Sequence, residues 1–507
     1  MLSMGASSLQ ITVFLVITSL IALVTYRQVR KGGAPEAGAH ESTKSVFLAN
    51  GGLTWVLVAG SITLSNLSTE QLVGTNGLQM MLIAWWEIAG FFGLMILAFI
   101  FVPIYYRNNC TTVTELLERR YEGGSIRTII SFLFLVGNIF IFLPIGLYGG
   151  SLFLKSVSGV DWSLFWFVAP MAVAAAIYTV TGGLKAVAVV DTIAGIGLLT
   201  IATLVVVLAL WAVHFDLSGI PVERLSMFQE GRDVPIPAHT LFTGMVFIQT
   251  FYWSTNQNIT QKAMAAPSVR EAQKGVLAAA AIRILIIPAA VVIPGVVAFK
   301  LFGKLGDQTY GHISAHVLPA WMSGAFAAMI AAATIAHTAS LMNSSVALYS
   351  LDLHDKYIRR VKNFWRLAAI TTLVLMVSSI ILARTYEATP SITVLVQRLF
   401  GLLSMPILSA FVTGLLFRNV DARAAIVGLV YGVAAYALHN FVLYEPGMIY
   451  PGQTVYEHFD LPWLHYIDVM LIVLITSVLV ALVVNRWVFG HRAVFIYSAA
   501  GRRLAAA

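Results

Sequence analysis

Apolar runs of about twenty residues recur along the whole chain, near 8–26, 52–74, 81–104, 127–150, 161–181, 188–213, 241–261, 275–299, 322–346, 367–384, 391–417, 424–443 and 466–485. Each is long enough to cross the roughly 30 Å hydrocarbon core of a bilayer as a helix. The runs are continuous and do not alternate as barrel strands would, and in hydrocarbon only helices and closed barrels satisfy every backbone group. The pattern predicts an all-α integral membrane protein with thirteen spans. Two of them are interrupted by polar residues. The second breaks at Ser65-Asn66-Leu67-Ser68-Thr69-Glu70-Gln71 and the seventh at Tyr252-Trp253-Ser254-Thr255-Asn256-Gln257-Asn258. They lie five spans apart, an offset that reverses membrane orientation, so spans 2–6 and 7–11 read as two inverted repeats that each open on a broken helix.

Composition supports the membrane reading: 59% of residues are hydrophobic and 11% charged, where a soluble chain carries about a quarter charged residues. The net charge of +8 does not point to nucleic acid, because the cations follow the loops. With the N-terminus outside, 23 Lys and Arg fall on the inner side and six on the outer, with Arg283 and Arg398 inside spans. This bias sets the N-terminus outside and the C-terminus in the cytoplasm. The first run lacks an Ala-x-Ala-type cleavage site and is followed by Arg27, Arg30 and Lys31, so it reads as a retained helix. The expected organisation is an extra helix and Gly-rich linker over 1–44, repeats over 45–213 and 241–417 separated by an outer loop at 214–240, and two further helices with a short inner tail over 418–507. A lone Cys110 supports no intrachain disulfide and no thiolate metal cluster. The sequence carries no Walker-type phosphate loop. Transport, if it occurs, is not driven by this chain hydrolysing ATP.

Three stretches carry a resemblance. Leu64-Ser65-Asn66-Leu67-Ser68-Thr69-Glu70-Gln71-Leu72-Val73-Gly74, Gly182-Gly183-Leu184-Lys185-Ala186-Val187 with Asp191, and Phe251-Tyr252-Trp253-Ser254-Thr255-Asn256-Gln257 resemble the sodium/solute symporter family, and within it the sugar-transporting branch of sodium/glucose and sodium/galactose cotransporters. Lys262-Ala263-Met264-Ala265-Ala266 and Glu271-Ala272-Gln273-Lys274-Gly275 extend the likeness, which covers roughly residues 45–445. It implies the LeuT-type five-plus-five inverted-repeat fold with two broken helices. It also implies a sugar site at Gln71, Glu87, Gln249, Arg283 and Gln397, closed on the inner side by the aromatic gate Tyr252, with Trp253 beside it. Such a site suits a ring of hydroxyls, each donor and acceptor, with apolar faces for the C–H surface. Two positions depart from the family pattern, Gln249 for Asn and Arg283 for Lys. The planar fork of Arg283 makes a sugar acid an alternative to a neutral sugar, while a structural pair with Glu87 is the plainer reading. Trp85 and Trp86 read as an interfacial belt.

The expected ion site departs further. The resemblance places sodium against carbonyls at Leu64 and Leu67, completed by two adjacent hydroxyls on a later helix. Here Ala331-Ala332-Ala333-Thr334-Ile335-Ala336-His337-Thr338 puts Ala336 and His337 at the hydroxyl positions. Imidazole is a poor ligand for a hard cation, but protonated histidine carries its own positive charge and titrates near neutrality. The site or its remnant therefore comprises Leu64, Leu67, Ala333, Ala336, His337, Thr338 and Asp191, with Thr334 a further oxygen source and the coupling ion either sodium or a proton. Asp191 either holds a second cation or pairs with Lys185. No cofactor, nucleic acid or obligate protein partner is implied; the partners are a sugar or sugar acid and the lipid bilayer. A solute sensor is the rival from another class, and an enzyme is disfavoured because no His-Glu-x-x-His or Gly-x-Ser-x-Gly site occurs.

Overall fold

The computed structural model describes residues 7–31, 48, 51–67, 69–231, 234–358, 364–388, 392–446, 448–450, 453–460 and 464–496. Most of the expected 27–51 linker and the side chains of Leu64 and Lys185 lie outside the described set. The main helices, numbered here in chain order, are α1 (Ser8–Lys31), α2 (Trp55–Asn66), α3 (Thr69–Leu78), α4 (Ala84–Ile96), α5 (Val113–Tyr121), α6 (Gly124–Gly137), α7 (Leu143–Ser158), α8 (Phe165–Ala212), α9 (Gly244–Ser254), α10 (Gln257–Met264), α11 (Val269–Leu285), α12 (Ile287–Phe302), α13 (Ala320–Ala347), α14 (Phe364–Ala383), α15 (Ile392–Leu416), α16 (Ala422–Leu438) and α17 (Tyr466–Trp487). Among the described residues ten helices are long and apolar enough to cross a membrane. The three other expected spans are the two interrupted runs and the shorter Phe165–Thr181.

Both interruptions occur where the polar clusters place them, and each has its own chemistry. Helix α2 ends as Leu67 leaves helical geometry at φ −73° and ψ 53°, its N–H still reaching Thr63 O. Helix α9 ends at Thr255, and α10 restarts because Asn256 takes extended backbone and its side chain accepts from Asn258 N at 3.0 Å. That is an ordinary N-cap, which satisfies an amide the break would otherwise leave bare. The freed carbonyl of Ser254 receives the Tyr105 hydroxyl at 2.8 Å. Similar local signals start other helices: Ser268 caps α11 through Glu271 N, and Asp421 caps α16 through Arg423 N.

The Gly182-Gly183 turn is a correction. Helical backbone is continuous through it, so the fifth and sixth expected spans lie in one helical run of 48 residues whose two apolar stretches are Phe165–Thr181 and Val187–Ala212. Ala175 before the glycines and Val187 after them nevertheless share one buried cluster with Ala339 and Met342 of α13. Helix α13 is the central element, packed against α8, α1 and α7. Its buried face rests on small side chains, and Gly150 of α7 leaves no room for a Cβ against Thr334. Helix α3 is fixed to α12 by Asn76, whose amide donates to Ala290 O at 3.2 Å and accepts from Gly295 N at 2.7 Å. Outside the expected repeats, α17 packs on α15, α16 and α9.

Candidate solute cavity

The two breaks and α13 and α15 line a partly open cavity between the helices. Gln71 and Thr75 come from α3, Gln249 and Tyr252 from α9, Asn256 and Asn258 from the second break, His337 from α13, and Gln397 and Phe400 from α15. Four of the residues expected at a sugar site therefore meet on one cavity: Gln71, Gln249, Tyr252 and Gln397. Tyr252 stands edge-on to Trp253, with ring centres 5.0 Å apart, and lies 5.4 Å from Phe400, giving the cavity an aromatic wall.

Their hydrogen bonds decide what each can offer. Gln249 is used up by the protein, its amide nitrogen donating to Trp86 O and its oxygen accepting from Trp253 Nε1, both at 2.9 Å. Gln71 Oε1 is buried with no protein donor and remains an acceptor. Asn258 Oδ1 accepts from Ser340 Oγ at 2.6 Å and Asn256 Oδ1 is held by its cap, so these two amides keep their nitrogens. The Tyr466 hydroxyl donates to Gln397 Oε1.

Glu87, Arg283 and Trp253 are not on the wall, which corrects the sequence expectation. Arg283 forms an ion pair with Glu87 at 1% and 0% exposure, and its guanidinium lies over the Trp253 ring at 4.4 Å. A Cβ at Gly90 would strike Arg283 Nε, so the small residue is what lets the fork lie flat there. Trp253 is fully buried and acts behind the wall by fixing Gln249. Trp86, read from sequence as interfacial, lines the cavity, whereas Trp85 donates to Met227 O at 2.8 Å in the 214–240 loop.

His337, expected at the ion site, opens onto this cavity instead. Ala333 and Ala336 are buried and carry no side-chain oxygen. The Thr334 hydroxyl donates back to Ile330 O at 3.0 Å and its side chain meets Gly150, while Thr338 Oγ1 is buried with no hydrogen-bond partner. Leu67 is buried at the end of α2; of Leu64 only the helical backbone is described. Asp191 pairs with Lys262, at 3.1 Å and with both side chains fully buried, rather than standing as an open cation ligand. Ser61 Oγ donates to the same carboxylate oxygen at 2.6 Å, and Lys262 Nζ also donates to Ser61 O at 3.2 Å. Lys262 stands in the last turn of α10, which carries it to this carboxylate.

The sodium:solute symporter family model matches residues 46–432, most of the chain. The chain belongs to the sodium:solute symporter family. It is 33% identical over 462 residues to the uncharacterised symporter YidK of Escherichia coli strain K12, covering 86% of this chain and 79% of that one. It is 27% identical to a sodium/glucose cotransporter of Vibrio parahaemolyticus, with 84% of each covered. Among solved structures, a Na⁺-coupled sialic acid symporter in a substrate-bound outward-open state aligns over 94% of this chain and 98% of its own, with TM-score 0.77 and 15% identity. The nucleobase-cation symporter Mhp1 aligns over 89% and 95%, with TM-score 0.54 and 15% identity. This symporter-family chain is therefore a multi-pass membrane carrier of LeuT-like fold and not an enzyme.

Proposed function

We propose that the protein moves a neutral polyhydroxylated solute, a sugar or cyclic polyol, by alternating access of the cavity between two inverted repeats spanning 45–213 and 241–417, with its N-terminus outside and its C-terminus in the cytoplasm. The observation that carries this reading is the cavity wall. It offers amide donors from Asn256, Asn258 and Gln397, an amide acceptor from Gln71, and the rings of Tyr252, Phe400 and Trp86. Hydroxyls need both donors and acceptors, and sugar C–H faces need aromatic surface. A sugar acid loses its support because Arg283, the cation that would bind it, is sealed against Glu87. Uptake of radiolabelled D-glucose, D-galactose and myo-inositol into proteoliposomes tests it; transport of anionic sugars with none of the three carried would reject it.

The family's sodium site is degenerate in this reading. Two hydroxyl positions are Ala336 and His337, and a dehydrated cation short of hard oxygen ligands binds weakly. His337 on the solute cavity favours proton coupling, since an imidazole there can take up and release a proton that carries the driving charge. Replacing sodium by choline at fixed pH should leave uptake nearly unchanged, and an inward proton gradient should raise it. Ala336→Ser with His337→Ser should introduce sodium dependence. A large drop of the wild type in choline would reject the degenerate site.

A further inference from the structure

The last helix lies beyond residues 46–432 and outside both expected repeats, yet it touches the cavity machinery twice. Its first turn sets Tyr466 against Gln397 of α15. Its Ile467 carbonyl lies against Gly244 of α9 so closely that a Cβ there would collide with it. Helix α9 carries Gln249 and Tyr252, so α17 braces two walls at once. Tyr466 is 4% exposed, and His465 ahead of it accepts from Ile467 N at 3.3 Å as the helix cap. The phenol therefore approaches Gln397 from a fixed helix start.

A glutamine amide is ambiguous by itself, because a half-turn about its last torsion exchanges a carbonyl acceptor for an NH₂ donor. What surrounds it decides which end a ligand meets. The single phenolic proton of Tyr466 has two acceptors in reach, Gln397 Oε1 in close contact and Pro235 O at 3.4 Å; the nearer takes it. With its oxygen held, Gln397 keeps its nitrogen for the cavity.

We propose that Tyr466 is a positioning residue of the solute site, which makes Gln397 a hydrogen-bond donor and so selects a solute oxygen that accepts at that wall, opposite in sense to the acceptor Gln71 Oε1. Gln249 shows the same device in stricter form, both ends of its amide being tied by Trp86 and Trp253. Of the three cavity glutamines, one is held at both ends, one is set as donor by α17, and one keeps a buried acceptor that no protein group uses. The identity of the solute rests on the function proposed above; the setting of Gln397 does not.

Two measurements on the full-length protein test this. In proteoliposomes fed whichever of D-glucose, D-galactose and myo-inositol the wild type carries, Tyr466→Phe should raise KM about tenfold, the loss of one hydrogen bond, with Vmax within about twofold. Gln397→Ala should raise KM as much, and the double variant should add nothing further, since the phenol acts only through the amide. A wild-type KM in Tyr466→Phe, or KM increases that multiply in the double variant, would overturn the proposal. Tyr466→Leu, which also removes ring packing, should lower Tm, whereas Tyr466→Phe should not. In solute-free protein labelled with ¹⁵N-glutamine, the NH₂ pair absent from Gln397→Ala should be sharp in the wild type and averaged in Tyr466→Phe. An unchanged pair would sink the positioning role even if none of the three solutes is carried, a result that would count against the proposed solute class alone.

Discussion

Among the described residues, two ion pairs are buried on both sides, Glu87–Arg283 and Asp191–Lys262, and they do different work. Glu87 and Arg283 join α4 to α11 beside the solute cavity, with Trp253 laid over the guanidinium. Asp191 and Lys262 join α8 to α10, and through Ser61 they also hold α2, so this pair ties together both broken helices. The first pair shapes a wall by fixing what stands behind it. The second ties α2 to α10, the helices on which the two breaks lie. An intramembrane charge marks a functional region, but its partner decides whether it is a ligand, a brace or a latch.

Breaking either pair from one side should give the largest effects. Glu87→Gln, Arg283→Gln, Asp191→Asn or Lys262→Met each leaves a buried charge uncompensated, at about 3–5 kcal/mol. Thermal unfolding in detergent should show all four as strongly destabilised. The paired variants separate the two sites. Glu87→Gln with Arg283→Gln should recover much of the stability and keep solute uptake, because neither side chain reaches the wall. Asp191→Asn with Lys262→Met should recover stability but alter turnover, because a tie between α2 and α10 has been loosened. Equal uptake from both double variants would erase the distinction between brace and latch.

A middle-sized effect distinguishes wall from brace. Gln71→Ala removes an acceptor that no protein group uses, so it should weaken solute binding by about 1–3 kcal/mol and leave Tm within a degree or two. Gln249→Ala should do the reverse, lowering Tm by freeing Trp253 Nε1 and Trp86 O, with KM changed less. Binding read by quenching of Trp86 fluorescence would show the order directly.

Much of this was legible in the sequence because hydrocarbon penalises every exception. The breaks around Leu67 and Asn256 stand out as polar clusters in apolar runs, whereas Gln71, Gln249, Tyr252 and Gln397 are expected from the family resemblance and not from the breaks. The pairing of Arg283 was open because a cation and a carboxylate on separate spans leave distance undetermined. The fifth and sixth spans are legible as two apolar runs, but the sequence does not show that helical backbone bonding passes through Gly182-Gly183 between them. Tyr466 had no signal at all, since an aromatic residue at the start of an apolar run reads as interfacial until the helix is seen to reach Gln397.

The smallest effect lies at the end of the 214–240 loop, where His239 is held between two carboxylates as the membrane pairs are not. Its Nδ1 lies 2.6 Å from Glu230 Oε2 and its Nε2 2.9 Å from Asp468 Oδ2 on α17, while Thr243 Oγ1 donates to the other oxygen of Asp468 at 2.7 Å. Partial burial lowers the imidazole pKa, but the hydrogen bonds and charges of Glu230 and Asp468 outweigh it, and the net shift is upward from 6.5. A raised folded-state pKa gives stability that is complete below about 6.5, the unfolded value, and lost as pH rises through the folded value. The imidazole is half exposed, so solvent screening holds the contribution to about 1 kcal/mol or less. The Tm of the wild type should therefore fall relative to His239→Gln as pH rises from mildly acid to alkaline, and the difference should shrink in high salt. A difference that grows with pH would mean that neutral His239 is the stabilised form and that the clasp on α17 is held by Thr243 and Asp468 alone.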